Sequence, residues 1–185
     1  LHADQIQGFF DIPVDNLLGN PIFVDYYAKK FGDKCEDMMV VSPDVGSVAR
    51  ARAFAQKLHM NLAIVDKRRQ KANQCEVMNV IGDVRDKDCI LFDDMVDTAG
   101  TITKAADLML AEGAKSVRAL ASHAIMSDPA TERIEKCGLT EIIFSNSVPL
   151  RRECKKATVI SVAKMFADTI RRVHNNESIS SQYLI

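Results

Sequence analysis

The sequence predicts a Rossmann-like α/β domain, with a mostly parallel sheet and helices on both faces. Apolar runs typical of strands alternate with helical periods along the chain, which is the order that parallel sheets require. With 185 residues, of which 47% are hydrophobic and 26% charged, the chain is long enough for one well-buried domain. It contains no apolar run of about 18 residues, so we expect no membrane span.

Four elements are predicted in the first third of the chain. Asn20 and Pro21 supply an N-cap and a proline at the first helical position, so a helix should run to about residue 31. The apolar run 39–42 predicts a strand, and from Ser47 the apolar side chains recur on one helical stripe. The run 62–65 predicts the next strand, which leads into a basic, polar stretch.

The rest of the chain continues the same alternation of strands and helices. Gly113 should end the helix that follows the central strand, and Gly138 should end the next one. The predicted strands are 89–92, 117–122, 141–145 and 158–161, and the predicted helices are about 102–112, the segment begun by Asp128-Pro129, and a last one with an apolar stripe at Val162, Met165, Phe166, Ile170 and Val173.

The segment 89–101 carries the strongest functional signal in the chain. Its apolar strand ends in two acids, Asp93 and Asp94, and a third acid, Asp97, opens a turn of small residues before a helix. The N–H groups of such a loop and helix start attract a phosphate, and ionised carboxylates accept hydrogen bonds from sugar hydroxyls. Gly100 would let a phosphate approach the backbone. The segment therefore predicts a sugar-phosphate site, although a plain α/β domain could use the two adjacent acids as helix caps.

This segment resembles the ribose 5-phosphate and phosphoribosyl pyrophosphate (PRPP) motif of the type I phosphoribosyltransferase fold. Its acids and its Thr-x-Gly-Thr tail are similar to the version found in PRPP synthetases, the ribose-phosphate diphosphokinases. The resemblance implies that the three acids position the ribose. It also implies that the 5-phosphate is held by Thr98, Ala99, Gly100 and Thr101.

Two further segments extend the resemblance to a metal site. The loop 42–47 follows a strand at the same sheet edge and resembles the pyrophosphate loop of that family, where Asp44 can ligate Mg²⁺. The segment 1–11 resembles a family signature whose histidine coordinates the Mg²⁺ that accompanies ATP. By resemblance, His2 and Asp44 are therefore the metal ligands. The alternatives are an N-capping turn for the loop and a structural role for the histidine.

The basic stretch 67–73 resembles the mobile catalytic loop of the same family. Taken alone, a run of this kind is usually a solvated loop. By resemblance, Lys67 and Arg69 are the catalytic cations that close over the transferring group, and Arg69 also contacts ribose 5-phosphate. Such cations would stabilise the charge that develops during phosphoryl-type transfer.

The resemblance covers essentially the whole chain and implies a reaction. The diphosphoryl group of ATP would pass to ribose 5-phosphate, with Mg²⁺ as cofactor, to give PRPP and AMP. Residues 1–185 would form one phosphoribosyltransferase-type domain, the C-terminal part of a PRPP synthetase whose N-terminal domain is missing. The chain should therefore bind ribose 5-phosphate but catalyse poorly alone. The family also implies a homo-oligomer, namely a hexamer built from dimers.

Two rival functions remain open at this point. One is a phosphoribosyltransferase that consumes PRPP, and the other is a non-catalytic regulatory subunit of a synthetase. The net charge of −1 argues against a nucleic-acid partner. The five cysteines are scattered without a C-x-x-C pair, so we expect reduced thiols and a cytoplasmic protein.

Overall fold

A seven-stranded sheet forms the centre of the molecule. The computed structural model describes residues 2–68 and 77–183. The strands are β1 (Met38–Ser42), β2 (Asn61–Arg68), β3 (Val77–Ile81), β4 (Asp88–Val96), β5 (Ser116–Ala124), β6 (Glu141–Ser145) and β7 (Ala157–Ile160). Their order in the sheet is β3-β2-β1-β4-β5-β6-β7, and β3 alone among them pairs antiparallel.

Five α-helices connect and cover the strands of the described chain. They are α1 (Asn20–Phe31), α2 (Val48–Lys57), α3 (Gly100–Ala111), α4 (Ala130–Lys136) and α5 (Ala163–His174). Short 3-10 helices lie at Asp4–Phe9, Gly32–Asp37 and Ser180–Gln182. Within the described residues, none of the helices is long and apolar enough to cross a membrane.

The two faces of the sheet belong to two separate hydrophobic clusters. On one face, buried side chains of α3 and α4, including Met109 and Ile134, pack on the sheet around Leu91. On the other face, α1 and α2 contribute Phe23 and Phe54, which pack around Ile90. Neighbouring residues of a strand point to opposite faces, so Ile90 and Leu91 serve different clusters. The predicted sheet with helices on both faces is therefore confirmed.

The strands β2 and β4 are longer than predicted and extend past the carboxyl end of β1. Ser42 at the end of β1 is in register with Ile64, so β2 continues to Arg68 beyond that edge and pairs there with β3. Similarly, β4 continues to Val96 because its last residues pair with β5. Asp93 and Asp94 therefore lie inside a strand rather than after its end.

The last helix differs from its prediction in burial. Its predicted apolar stripe is present, but Phe166, Ile170 and Val173 are 47%, 66% and 52% exposed. The stripe therefore forms an apolar surface on this chain rather than part of its core.

Candidate functional site

At the carboxyl edge of the sheet, the predicted acid Asp94 contacts two basic side chains, those of His2 and Arg50. The Oδ2 atom of Asp94 lies 2.5 Å from Nδ1 of His2 and 2.9 Å from Nη1 of Arg50. Arg50 lies in the first turn of α2. The Asp94 side chain is only 14% exposed, so these two partners satisfy a carboxylate that is largely shielded from water. The neighbouring Asp93 accepts a hydrogen bond at Oδ1 from the backbone N–H of Asp94, at 2.9 Å.

The two adjacent carboxyl groups differ in their protonation. Burial raises the pKa of Asp93 to about 6, and the negative charges of Asp94 and Asp44 act in the same direction. Partial burial also raises the pKa of Asp94, but the hydrogen bond from His2 and the charge of Arg50 outweigh it and hold that pKa below its usual value. The pair therefore loses its two protons in separate pH ranges, as adjacent carboxyl groups in different environments do.

The loop between β1 and α2 places a third acid near this pair. The Oδ1 atom of Asp44 accepts a hydrogen bond from the Ser47 N–H at 2.9 Å, and the Ser42 hydroxyl donates to the Asp44 carbonyl at 2.6 Å. These bonds order the loop from within. These bonds do not make the loop an N-capping turn, because Ser47 precedes α2 and its side chain makes no capping hydrogen bond with the helix.

The loop between β4 and α3 is built around a left-handed alanine. Ala99 has a φ of 59° and caps α3, a conformation that costs a non-glycine residue about 1–2 kcal/mol. Its carbonyl accepts hydrogen bonds from the Thr103 N–H at 3.1 Å and the Thr103 hydroxyl at 2.7 Å. On the other side, Nη1 of Arg133 donates to the Thr98 carbonyl at 2.9 Å. The unusual backbone conformation thus falls on Ala99, next to the Gly100 that was predicted to let a phosphate approach the backbone.

The structure brings together most of the predicted site. Nδ1 of His2 contacts Asp94, and the assignment of His2 and Asp44 as metal ligands stays a prediction. In the described part of the chain, no group of three or more His, Cys, Asp or Glu side chains could hold a metal ion. Lys67 lies in β2 rather than in a loop, and Arg69 is outside the described residues. The site assignments themselves remain predictions.

Two arginines of the site were missed by sequence reasoning. Arg50 follows Ser47 by three residues, which places it one helical turn beyond the loop, so helix periodicity could have indicated it. Arg133 lies on α4, far along the chain from the loop that it contacts. Its role depends on how α4 packs against α3, and no local pattern reports that packing.

Comparisons with known proteins agree with the resemblance. The family model described as "Phosphoribosyl synthetase-associated domain" matches residues 68–184, more than half of the chain. The chain belongs to this family. Among curated relatives, it is 55% identical over 183 residues to a ribose-phosphate pyrophosphokinase of Helicobacter hepaticus, and 54% identical over 184 residues to that of Wolinella succinogenes.

The chain matches only part of the length of these relatives. The matches cover 99% and 100% of this chain but only 58% and 59% of the two relatives. The chain therefore spans less than two thirds of their length. The expected position of the chain within a longer synthetase stays a prediction.

Solved structures confirm the predicted fold class. The phosphoribosylpyrophosphate synthetase of Mycobacterium smegmatis superimposes with a TM-score of 0.84 at 43% identity, covering 95% of this chain and 57% of that one. An orotate phosphoribosyltransferase from Aeropyrum pernix shares the fold at a TM-score of 0.52 and 18% identity, over 82% of this chain and 75% of its own. The sheet thus has the architecture expected of a phosphoribosyltransferase-type domain.

Proposed function

We propose that this chain provides the ribose 5-phosphate site of a ribose-phosphate pyrophosphokinase. The observation that carries the proposal is the placement of Asp93 and Asp94 beside a loop that opens α3, in a chain more than 50% identical to proteins of that name. The acids would accept hydrogen bonds from the ribose hydroxyls, and the N–H groups of residues 98–101 would hold the 5-phosphate.

The proposed reaction transfers the diphosphoryl group of ATP to ribose 5-phosphate. The anomeric oxygen forms a bond to the β-phosphorus, the bond between that phosphorus and the α,β-bridging oxygen breaks, and PRPP and AMP result. The hydroxyl proton passes to solvent. The ribose site would place the anomeric hydroxyl in line with the β-phosphorus, so alignment lowers the barrier without a strong general base. Lys67 and Arg69 would stabilise the charge that develops on the transferring group.

The residues present suit Mg²⁺ as the cofactor. Magnesium usually takes one or two protein carboxylates and draws its other ligands from phosphates and water, so a large protein cluster is unnecessary. We assign Asp44 and His2 to it. The contact between Nδ1 of His2 and Asp94 supports this role, because a histidine that binds a metal commonly uses its other ring nitrogen to contact a carboxylate. When bound, the metal would neutralise the triphosphate.

Assembly and location follow the same proposal. The exposed apolar stripe on α5 supports the predicted homo-oligomer, since contiguous apolar patches commonly mark interfaces. Cys35, Cys89, Cys137 and Cys154 are free thiols in the structure, which is consistent with the predicted cytoplasmic location. The substrates would be ATP and ribose 5-phosphate.

The ³¹P NMR spectrum of a reaction mixture tests the proposed activity. A full-length ribose-phosphate pyrophosphokinase that carries this sequence is incubated with ATP, ribose 5-phosphate and Mg²⁺. We expect new PRPP and AMP signals, and a much smaller yield from residues 1–185 alone. A full-length protein that binds ribose 5-phosphate without forming PRPP would favour the regulatory-subunit alternative. Consumption of PRPP with a nucleobase would instead favour a phosphoribosyltransferase.

A further inference from the structure

We propose that Arg133 is a positioning residue of the phosphate-binding loop. By holding the Thr98 carbonyl, it would keep the neighbouring backbone N–H groups directed at the phosphate of ribose 5-phosphate. The inference rests on the proposed function and deepens it. It assigns a role to a residue on α4, outside every segment that suggested the site from the sequence.

The Arg133 guanidinium lies directly against the loop. Its Nη1 atom donates to the Thr98 carbonyl at 2.9 Å. A Cβ atom added to Gly100 would lie 3.3 Å from the same nitrogen. The guanidinium therefore packs close to the backbone on both sides of Ala99, and the absence of a side chain at Gly100 leaves room for it.

Two flat peptide groups flank Ala99, and each is held at its carbonyl end. In a trans peptide, the C=O and the N–H of the same plane point in opposite directions. The bond from Arg133 to the Thr98 carbonyl therefore fixes the Ala99 N–H on the side away from the guanidinium. The bonds from Thr103 to the Ala99 carbonyl fix the Gly100 N–H in the same manner.

The hydrogen bonds to the Thr98 and Ala99 carbonyls matter because Ala99 adopts a left-handed conformation without being glycine. Successive N–H groups around such a residue form a concave anion site. Alanine disfavours this conformation, so contacts from outside the loop must maintain it. Thr103 lies in α3, the helix that follows the loop, and holds the peptide group after Ala99. Arg133 lies in the separate helix α4 and holds the peptide group before Ala99.

Lys136 provides a matched control on the same helix. It lines the same small cavity as Arg133 and Gly100, and its Nζ atom pairs with Glu132 at 2.5 Å. Replacing Lys136 with glutamine removes one positive charge from this region while leaving the arginine contact with the loop in place. The comparison separates a general charge effect from the specific hydrogen bond.

Calorimetric titration of the 185-residue chain with ribose 5-phosphate tests the proposal. We expect Arg133→Ala to weaken the affinity about tenfold, the ratio for one charge-assisted hydrogen bond of about 1.4 kcal/mol. Arg133→Lys, which keeps the charge, should recover part of the loss, and Lys136→Gln should stay within about twofold of the wild type. Wild-type affinity in folded Arg133→Ala would overturn the proposal.

A ligand-free measurement distinguishes failure of this inference from failure of the proposed function. In ¹⁵N relaxation-dispersion spectra, Arg133→Ala should show new exchange at the amides of Ala99 and Gly100, while the wild type and Lys136→Gln should not. If the wild-type chain does not bind ribose 5-phosphate, the proposed function is contradicted. The relaxation data then decide the role of Arg133, and unchanged spectra in Arg133→Ala would overturn it.

Discussion

A Lys67→Ala substitution should lower kcat about a hundredfold in a full-length ribose-phosphate pyrophosphokinase that carries this sequence, with little change in the affinity for ribose 5-phosphate. Removing one group that stabilises charge in a transition state costs about a hundredfold or more in kcat. A group that acts mainly in the transition state changes kcat rather than ground-state binding. Steady-state kinetics and a separate substrate titration measure the two quantities.

The backbone position of Lys67 supports this prediction. The last residue of β1 is in register with Ile64, and Lys67 comes three residues later in β2, so it stands roughly 10 Å beyond that edge at about 3.3 Å per residue. The paired strands β2 and β3 thus project past the edge that carries Asp44. Lys57, exposed on α2, provides the control as Lys57→Ala. An equal fall in kcat and in ribose 5-phosphate affinity for Lys67→Ala would count against its catalytic role.

An Asp93→Asn substitution should stabilise the fold at pH 8 and leave its stability nearly unchanged at pH 4. The pKa of Asp93 is raised from an ordinary 3.8 to about 6. Between these values the folded state binds the proton more tightly than the unfolded state, so stability falls as the pH rises through this range. Above this pH range, the ionised carboxyl of Asp93 destabilises the fold by about 2–3 kcal/mol, since a pKa shift of one unit corresponds to about 1.4 kcal/mol.

Thermal unfolding at the two pH values measures this effect. For a chain of this size, 1 kcal/mol corresponds to roughly 2–4 °C in Tm, so we expect Asp93→Asn to raise Tm by roughly 4–12 °C at pH 8. The exposed Asp97, which follows the end of β4, supplies a control, and Asp97→Asn should leave Tm within about 2 °C of the wild type at both pH values. If Asp93→Asn has the same or a lower Tm at pH 8, Asp93 does not carry the burial cost inferred here.

The same substitution should weaken ribose binding under the proposed function, because an amide replaces an ionised acceptor. A residue that destabilises the fold at neutral pH and is required for binding fits a functional site better than a structural one. The alternative of a helix cap does not apply to Asp93, because Asp93 lies inside β4 and Ala99 occupies the N-cap position of α3.

Local sequence signals predicted much of the fold. The strand 141–145 has the bounds that were expected, and the first helix ends at Phe31 as predicted. This helix begins one residue earlier than predicted, because Gly19 and not Asn20 occupies its N-cap position. The strand 89–92 was predicted too short because the adjacent acids resemble a strand end. Its continuation depends on pairing with β5, which is a tertiary contact. β3 was missed for a related reason, since its pairing with the extended end of β2 defines it.

In the candidate site, too, the features within one segment were predicted from the sequence, and the contacts between distant residues were not. The acids and the small-residue loop were found because they lie within one continuous segment of the chain. The contact of His2 with Asp94 joins residues 92 positions apart, and that of Arg133 with Thr98 joins residues 35 apart. Spacing within the sequence cannot report such contacts. The left-handed conformation of Ala99 was also missed, because glycine rather than alanine is the usual signal for it.

Titration of the ¹⁵N-labelled chain with ribose 5-phosphate tests the central claim most directly. We predict saturable shifts at the amides of Ala99, Gly100 and Thr101, with further shifts at Asp93 and Asp94, and much weaker effects from ribose without its phosphate. This result would place the sugar phosphate at the loop between β4 and α3. The absence of saturable shifts at these amides, or equal shifts with ribose alone, would contradict the proposed site.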